Sequence, residues 1–322
     1  MTPTSTPPSA GPLPPPPPPR ARRHGTVRGR FAPSPTGALH FGSLLAAFGS
    51  WLAARGAGGE WWIRIEDVDA AREVPGAAAM QLRTLAAFGL VHDGPVGYQS
   101  RRGHLYAAAL ARLLDAGLAF ECHCSRSDVA DAGGVHRSCR PGARRPDPAV
   151  RLRVTDGSRV AFDDAVHGRI AQDVDREVGD FVLRRADGWW AYQLAVVVDD
   201  ADQGITDVVR GADLLDSTPR QLLLQHALGL PRPRYLHLPL VLDDDGHKLS
   251  KSSASLPVDA ADPLPALRAA WHALGQDPHR LPASASLAAT LAAAVRGFDA
   301  GRIPRGPLAA TAVHNALAMR DA

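Results

Sequence analysis

Two lysines stand out in this chain because every other Lys or Arg residue is an arginine. Among 36 such residues, only Lys248 and Lys251 are lysines, and they lie close together in the run KLSKS at 248–252. A lysine ammonium is a compact point charge on a flexible stem, whereas the arginine guanidinium is planar and rigid. The pattern therefore predicts a loop that places a mobile positive charge on a phosphate group.

A second candidate site lies near the start of the chain, where the run PSPTG at 33–37 predicts a turn. It is followed by His40, Gly42 and Ser43 at the start of a predicted helix. The unpaired amides and positive dipole of a helix N-terminus favour phosphate, and Gly42 leaves room for a nucleotide beside the backbone. The chain contains neither a GxGxxG nor a Walker-type motif, so dinucleotide dehydrogenases and P-loop NTPases have no motif support.

The three cysteines form a third cluster, since Cys122, Cys124 and Cys139 fall within one short segment. An odd number of cysteines gives no disulfide framework and indicates a reducing compartment. With His136 the spacing becomes Cys-x-Cys-x₁₁-His-x₂-Cys, which predicts a structural Zn²⁺ site. His123 is the alternative fourth ligand, and three free or buried thiols are the alternative to a metal site.

Strand-like segments alternate with helical ones, which is typical of an α/β fold with a parallel sheet. The predicted strands of the main fold lie at 26–32, 61–65, 119–122, 190–199 and 235–242. The predicted helices lie at 40–55, 76–89, 101–117 and 218–228, and residues 258–322 are predicted to be mostly helical.

Proline and positive charge are concentrated at the N-terminus. Ten of the 28 prolines lie within residues 1–20, and residues 1–29 contain four arginines and no acidic residue. This composition predicts a disordered leader over residues 1–25, so the basic isoelectric point does not describe the folded part. The sequence shows neither a membrane span nor a secretory signal, which predicts a cytoplasmic protein without membrane contact.

Five motifs in the right order resemble the glutamyl branch of the class I aminoacyl-tRNA synthetases. The run 30–42 resembles the opening signature of that family, and the residues from 40 to 43 stand where it has its HIGH box. The run KLSKS resembles the KMSKS loop, with Leu249 in place of Met. The remaining motifs lie at 64–69, 192–200 and 209–213.

The resemblance implies a Rossmann-type catalytic domain with an inserted zinc-binding subdomain and a short helical C-terminal region. The implied divisions are a leader at 1–25, two halves of the catalytic domain at 26–121 and 186–255, the insert at 122–185, and a helical region without an anticodon-binding domain at 256–322. The family often has Tyr at the position of His136, so this residue departs from the pattern.

The resemblance also implies that L-glutamate is activated with ATP and Mg²⁺. His40, Lys248 and Lys251 then have catalytic roles, and ATP is bound by His40, Gly42, Ser43 and Lys251. The glutamate site implied by the motifs consists of Arg30, Phe31, Ala32, Pro33, Ser34, Glu66, Tyr192 and Arg210. Within it, Arg30 and Arg210 pair with carboxylates and Glu66 accepts from the α-ammonium group.

The length of the chain separates branches of the family. Only 70 residues follow Ser252, too few for the RNA-reading module of a glutamyl-tRNA synthetase. The short form resembles a branch that activates glutamate without tRNA and transfers it to the queuosine base at the wobble position of tRNA(Asp). A monomer is expected. The alternatives are a truncated glutamyl-tRNA synthetase that charges a tRNA 3′ end and a non-catalytic paralogue that binds RNA or protein.

Overall fold

The computed structural model describes residues 26–140, 142–143, 145–243, 245–246 and 258–313. The predicted leader at 1–25 and the lysine loop at 248–252, with its two predicted catalytic lysines, lie outside the described residues. None of the helices in the described part is long and apolar enough to cross a bilayer.

Strands and helices alternate along the first part of the chain. The strands are β1 Arg28–Phe31, β2 Glu60–Ile65, β3 Gly97–Tyr98 and β4 Ala119–Cys122. The helices are α1 Phe41–Gly56, α2 Ala77–Ala87 and α3 Gly103–Asp115. Apart from the short β3, which was not predicted, these bounds lie within two residues of the predicted ones.

The middle of the chain holds short elements, and the last part returns to longer ones. The middle elements are α4 Arg126–Asp131, β5 Ala149–Leu152, β6 Arg159–Asp164, β7 Gly168–Asp173, α5 Val174–Glu177 and β8 Phe181–Arg184. The later elements are α6 Tyr192–Asp202, β9 Asp207–Gly211, α7 Thr218–Leu228, β10 Arg234–Leu238, β11 Val241–Leu242, α8 Pro263–Ala273, α9 Leu287–Gly297 and β12 Leu308–Ala309.

The main sheet has seven strands in the order β3-β2-β1-β9-β10-β6-β7. All neighbouring pairs are parallel except β6 and the edge strand β7. After β1 the chain first builds β2 and β3 on one side and later β9 and β10 on the other. Ligands of open α/β sheets bind at such a switch point, outside the carboxyl ends of the strands.

The segment at 122–185 contributes to two sheets. Strands β5 and β8 join β4 in a separate three-stranded antiparallel sheet. Strands β6 and β7 instead extend the main sheet, where Asp164 at the end of β6 is paired with Tyr235 of β10. The segment is therefore tied to the main sheet through β6.

The prediction of a buried strand at 190–199 is wrong, because residues 192–202 form helix α6. Leu194 to Asp200 are all buried, so no polar face reveals the helical period in the sequence. A short apolar run with three consecutive valines cannot be distinguished from a buried strand by periodicity alone. The segment packs as a helix against α3, α7 and β8, and these tertiary contacts stabilise the helical form.

Helix α1 packs across β1 and β9 and closes one face of the sheet. Leu44, Phe48 and Leu52 are fully or almost fully buried on this face, and each contributes about 1.5–3 kcal/mol by leaving water. Helix α1 approaches β10 closely at Gly49, where a Cβ would lie 2.7 Å from Leu238 Cδ1, so this position needs a glycine. This packing brings the N-terminus of α1 to the carboxyl ends of the strands.

Candidate active site

A cavity of about 530 Å³ lies at the switch point of the main sheet. Its volume is in the usual range for small-molecule sites. The predicted site residues that the structure describes all line it, apart from the cysteine cluster: Arg30, Phe31, Ala32, Pro33, Ser34, His40, Gly42, Ser43, Glu66, Tyr192 and Arg210. They come from the ends of β1, β2 and β9 and from the starts of α1 and α6.

A buried carboxylate joins two arginines beneath the cavity. Asp200 Oδ1 accepts from Arg64 Nη1 at 2.7 Å and from Arg30 Nε at 3.1 Å, and Arg30 Nη2 lies 3.4 Å from Asp200 Oδ2. Arg64 also donates from Nη2 to Glu66 Oε1 at 3.1 Å. The positions of Arg30 and Glu66 are therefore set by Asp200 and Arg64, two residues to which the sequence analysis gave no role.

Burial and neighbouring charges have opposite effects on the pKa values of Arg64, Asp200 and Glu66. Burial alone would lower the pKa of Arg64, but the nearby carboxylates of Asp200 and Glu66 raise it above its usual value. Burial acts to raise the pKa of Asp200, yet Arg30 and Arg64 hold it below its ordinary value. For Glu66 burial prevails and its pKa is raised.

A second buried carboxylate, Asp199, supports the first from the same turn of α6. Its Oδ2 accepts from Tyr106 Oη at 2.8 Å and from Gln99 Nε2 at 2.8 Å. Its Oδ1 accepts from Arg102 Nε at 2.5 Å. The only indication in the sequence was the pair of adjacent acids at 199–200, which were expected to end a strand.

Arg210 is held by donation from all three of its guanidinium nitrogens. Nη1 donates to Tyr192 Oη at 3.3 Å, Nη2 to Thr218 Oγ1 at 2.9 Å, and Nε to His237 Nε2 at 3.1 Å. His237 is fully buried and its Nδ1 lies 2.7 Å from Asp164 Oδ2. Since Nε2 accepts from Arg210, the ring proton is on Nδ1 and is donated to Asp164.

The same contacts and the burial of this pair shift the pKa values of both residues. Burial lowers the pKa of His237, so the ring is neutral at neutral pH. Burial opposes ionisation of Asp164, but hydrogen bonds from His237 and from backbone amides lower its pKa. A chain of contacts thus runs from Asp164 on β6 through His237 on β10 to Arg210 on β9.

His40 caps helix α1, as its Nδ1 accepts from the backbone amide of Ser43 at 3.3 Å. In the neutral ring the proton is therefore on Nε2. Gly42 is close enough that a Cβ there would lie 3.2 Å from the His40 ring. The start of α1, predicted to bind phosphate, therefore lines the same cavity as Arg30 and Arg210.

The four predicted metal ligands come together at one point of the segment at 122–185. The Sγ atoms of Cys122, Cys124 and Cys139 and a ring nitrogen of His136 all lie within 4.8 Å of one another. A tetrahedral Zn²⁺ with bonds of about 2.3 Å to sulfur would separate its sulfur ligands by about 3.8 Å. The donor set and spacing therefore fit zinc.

His136, and not His123, belongs to this cluster. His136 Nε2 lies 3.3 Å from Cys122 Sγ, while its Nδ1 is 3.0 Å from Asp180 Oδ2, as expected of a carboxylate that orients a metal-binding histidine. His123 is exposed and its Nδ1 contacts the carbonyl oxygen of Arg145 at 2.6 Å. Gly179 permits the backbone of His136 to approach, since a Cβ there would lie 2.2 Å from the His136 carbonyl oxygen.

A mostly parallel sheet with a polar cavity at its switch point and a helix N-terminus facing that cavity defines a nucleotide-binding α/β enzyme. The sequence pattern described as "tRNA synthetases class I (E and Q), catalytic domain" matches residues 26–145 and 135–263. The chain belongs to this family, which confirms the predicted family and its Rossmann-like α/β fold. Use of ATP follows from membership of the class.

Several curated bacterial relatives are similar over most of their own length, and they carry the name "Glutamyl-Q tRNA(Asp) synthetase". The relative from Xanthomonas campestris pv. campestris strain 8004 is 68% identical over 86% of this chain and 93% of its own. One from Burkholderia mallei is 56% identical over 85% of this chain and 96% of its own. One from Pseudomonas aeruginosa strain LESB58 is 54% identical over 86% of this chain and 95% of its own.

Two solved structures share the fold. A glutamate tRNA ligase from Elizabethkingia meningosepticum, solved in complex with its amino acid, has a TM-score of 0.74 and 25% identity. The similarity covers 88% of this chain and 67% of that one. A glutamate-tRNA synthetase from Elizabethkingia anophelis has a TM-score of 0.75 over 91% of this chain and 70% of its own, at 24% identity, and supports the fold alone.

Proposed function

We propose that this chain activates L-glutamate with ATP and transfers the glutamyl group to the queuosine base at the wobble position of tRNA(Asp). The observation that carries the proposal is the meeting of Arg30, Arg210 and Glu66 with the start of α1 in one cavity. The names of the similar bacterial proteins support the choice of acceptor. The proposal includes a cytoplasmic location and a monomeric enzyme.

The proposed activation step needs no protein nucleophile. An oxygen of the glutamate α-carboxylate attacks the α-phosphorus of ATP, the bond to the bridging oxygen breaks, and pyrophosphate leaves. A hydroxyl oxygen of the queuosine cyclopentenediol then attacks the activated carbonyl carbon. The bond from that carbon to the phosphate oxygen breaks, AMP leaves, and the hydroxyl proton passes to the phosphate of the departing AMP. Both steps depend on positioning and on stabilising the charge that develops, which fixed donors in a preformed cavity provide.

The buried arginines are the proposed partners of the two glutamate carboxylates. Arg30 and Arg210 are each held by several hydrogen bonds, so little conformational freedom is lost when a carboxylate binds. Glu66, an acceptor when ionised, is the proposed partner of the α-ammonium group. Ser34 and Tyr192 provide hydroxyl groups, and Phe31, Ala32 and Pro33 form the wall between β1 and the turn.

The start of α1 is the proposed site of the ATP phosphates. The backbone amide of Gly42 and the positive end of the helix dipole favour an anion there, and His40 and Ser43 line the cavity beside them. Mg²⁺ bound to the phosphates would share their negative charge. Lys248 and Lys251, outside the described residues, are proposed to neutralise the leaving pyrophosphate.

Glutamate-dependent exchange of pyrophosphate into ATP, measured without tRNA, tests the first step. Transfer is then measured with radioactive glutamate and tRNA(Asp) that either contains or lacks queuosine. Exchange without tRNA and transfer only to the queuosine-containing tRNA are expected. Exchange that requires tRNA, with charging of the 3′ end, would indicate a truncated glutamyl-tRNA synthetase, and no exchange would indicate a non-catalytic paralogue.

Replacement of His237 by leucine is expected to raise the KM for glutamate. The change removes the acceptor for Arg210 Nε. Hydrogen bonds to charged groups contribute about 1.5–3 kcal/mol, which corresponds to roughly 10- to 150-fold in KM. The KM for ATP should change less than twofold, and His237→Gln, which keeps an acceptor, should recover part of the loss. Equal changes in both KM values would contradict the role assigned to His237.

The same contact predicts how glutamate binding depends on pH. Burial lowers the pKa of His237 below the ordinary histidine value of about 6.5, so its ring is protonated only at a lower pH. A protonated Nε2 becomes a donor and repels Arg210, so the KM for glutamate is expected to rise as the pH falls through the lowered pKa. Glu66 titrates in the same cavity with a raised pKa. The part of the pH dependence due to histidine should therefore be absent in His237→Gln.

The cysteine cluster is proposed to bind one structural Zn²⁺, because four protein ligands leave no open position for a substrate. Cys122→Ser is expected to reduce the zinc content, measured by mass spectrometry, from one ion per chain to well below half. It should also lower the melting temperature. His123→Ala, a change just outside the cluster, should keep its zinc. Wild-type protein that contains no zinc when purified without chelators would refute the site.

A further inference from the structure

We infer that Gln81 of α2 is a positioning residue that aligns the two substrate sites of the catalytic cavity; this inference rests on the proposed function. Its side chain is 3% exposed and lines the cavity, although α2 contributes no residue to the proposed binding of glutamate or ATP. The amide Nε2 donates to the carbonyl oxygen of Ser34 at 3.1 Å and to that of Gly37 at 2.8 Å. One side chain therefore holds the turn after β1 at two points.

The turn at 33–37 depends on donors from other elements. Pro33 and Pro35 carry no backbone N–H group, so the turn can form few hydrogen bonds of its own. The backbone amide of Glu66 donates to the carbonyl oxygen of Pro33, and that of Val74 to the carbonyl oxygen of Pro35, each at 2.9 Å. With the two bonds from Gln81, the carbonyl groups of four of the five turn residues are held by the stretch at 66–81.

Gly37 cannot fix the turn by itself at the point where Gln81 contacts it. Its φ of 132° lies in a region that residues with a side chain rarely adopt. Glycine also has the widest choice of backbone conformations, so a contact from outside must fix the orientation of its carbonyl group. Because His40 caps α1 only three residues later, a change of conformation at Gly37 would move the start of the helix relative to Ser34.

The position of Gln81 on α2 is one where an apolar side chain is expected. Ala77, Gln81 and Leu85 follow one another at intervals of four and form the buried face of this helix. The bonds to the turn fix the amide orientation, because a carbonyl oxygen only accepts. Oε1 of Gln81 is then buried without a hydrogen-bond partner among the described residues. A buried acceptor without a donor lowers stability, so stability alone would favour an apolar residue here.

The two ends of this turn serve the two substrates of the proposed activation step. Ser34 belongs to the proposed glutamate site, whereas His40 and Gly42 belong to the proposed site of the ATP phosphates. The attacking carboxylate oxygen must lie about 3–3.5 Å from the α-phosphorus, and an error of about 1 Å can lower the rate by about 10². Since Gln81 joins Ser34 to Gly37, it sets the spacing between the two sites.

Gln81→Met, made in the full chain, tests the inference through glutamate-dependent pyrophosphate exchange without tRNA. Methionine fills similar space but removes both donors. The kcat should fall about 10- to 100-fold, while the KM values for glutamate and ATP should each change less than about threefold, because the contacts of Arg30 and Arg210 are kept. The melting temperature should fall by less than about 4 °C, since removal of the unpartnered oxygen partly offsets the lost bonds.

A second variant keeps the amide but shortens its reach. Gln81→Asn has a side chain one methylene group shorter, and its kcat should lie between those of wild type and Gln81→Met. It also decides the question if Gln81→Met does not fold, because its own kcat and KM values are judged by the same criteria.

Gln276 in the C-terminal region provides a matched control. It is 2% exposed and does not line the catalytic cavity, and its Nε2 also donates to two backbone carbonyl oxygens, of Leu274 at 2.7 Å and of Asp299 at 3.0 Å. Gln276→Met should lower the melting temperature at least as much as Gln81→Met but keep kcat within about twofold of wild type.

Equal kcat values for Gln81→Met and Gln276→Met would overturn the inference, as would a loss that appears in the KM values and leaves kcat unchanged. Both results require that wild type performs the exchange. If wild type shows no glutamate-dependent exchange, the proposed function is wrong, and the two failures are thereby distinguished.

Discussion

Asp200→Asn is expected to lower the free energy of unfolding by about 3–5 kcal/mol, the usual result of removing one partner from a buried ion pair. The carboxylate bridges Arg30 and Arg64, and Arg64 is fully buried. An amide cannot neutralise two guanidinium groups in this place. Since domains of this kind are stable by only about 5–15 kcal/mol, the change should be visible as a large shift in urea unfolding.

An exposed ion pair provides the comparison for this variant. Asp163→Asn breaks a pair with Arg169 in which both side chains are mostly exposed, and it should cost less than about 1 kcal/mol. The pH dependence gives an independent check. The pKa of Asp200 is lowered, so its stabilisation is present above the pKa of an unfolded aspartate, about 3.9, and is lost as the pH falls through the lower folded-state pKa.

The stability difference between wild type and Asp200→Asn should therefore be constant from neutral pH down to about pH 5 and shrink only in stronger acid. Because Arg30 is displaced as well, the variant should also bind glutamate more weakly. A difference of less than 1 kcal/mol at neutral pH would show that Asp200 does not hold the two arginines in solution.

Lys251→Ala is expected to lower the kcat of glutamate-dependent pyrophosphate exchange by about 10²–10³, with a small change in the KM for glutamate. This is the usual loss, about 2.7–4 kcal/mol, when a donor that acts on the transition state is removed. The residue lies outside the described part of the chain, and the expectation rests on the KLSKS run and on the family of the chain.

The arginine variant separates charge from shape at this position. Lys251→Arg keeps the positive charge but replaces a compact ammonium by a planar fork. Turnover between that of wild type and that of the alanine variant would show that the mobile point charge matters. Arg305→Ala, a change in the helical C-terminal region, is the control for removing one cation. Exchange by Lys251→Ala at the wild-type rate would refute the catalytic role.

Most of the cavity lining could be predicted because it is encoded locally. The turn after β1, the start of α1 and the end of β2 each place their functional residues within a few positions of an element boundary, and such boundaries are marked by proline, glycine and apolar spacing. The cysteine cluster is similarly compact in sequence, so the spacing alone predicts Cys122, Cys124, Cys139 and one histidine as a candidate ligand set. Only the choice between His136 and His123 needed the folded backbone.

The contacts that hold these residues were not predicted, because they join distant parts of the chain. Arg30 and Asp200 are 170 positions apart, and His237 and Asp164 are 73 apart. No local pattern relates such pairs. The error at 190–199 concealed them further, since a strand would have pointed Asp199 and Asp200 to opposite faces, whereas the helix lets both reach the same buried group of arginines.

The sequence by itself determined the family, the order of the motifs and the residues that meet in the cavity, because apolar period, turn residues and side-chain chemistry are local properties. Only the tertiary structure decided which buried groups orient Arg30 and Arg210 and which histidine joins the cysteines. Those features depend on pairing and burial, which arise when the parallel sheet brings distant strand ends to one edge.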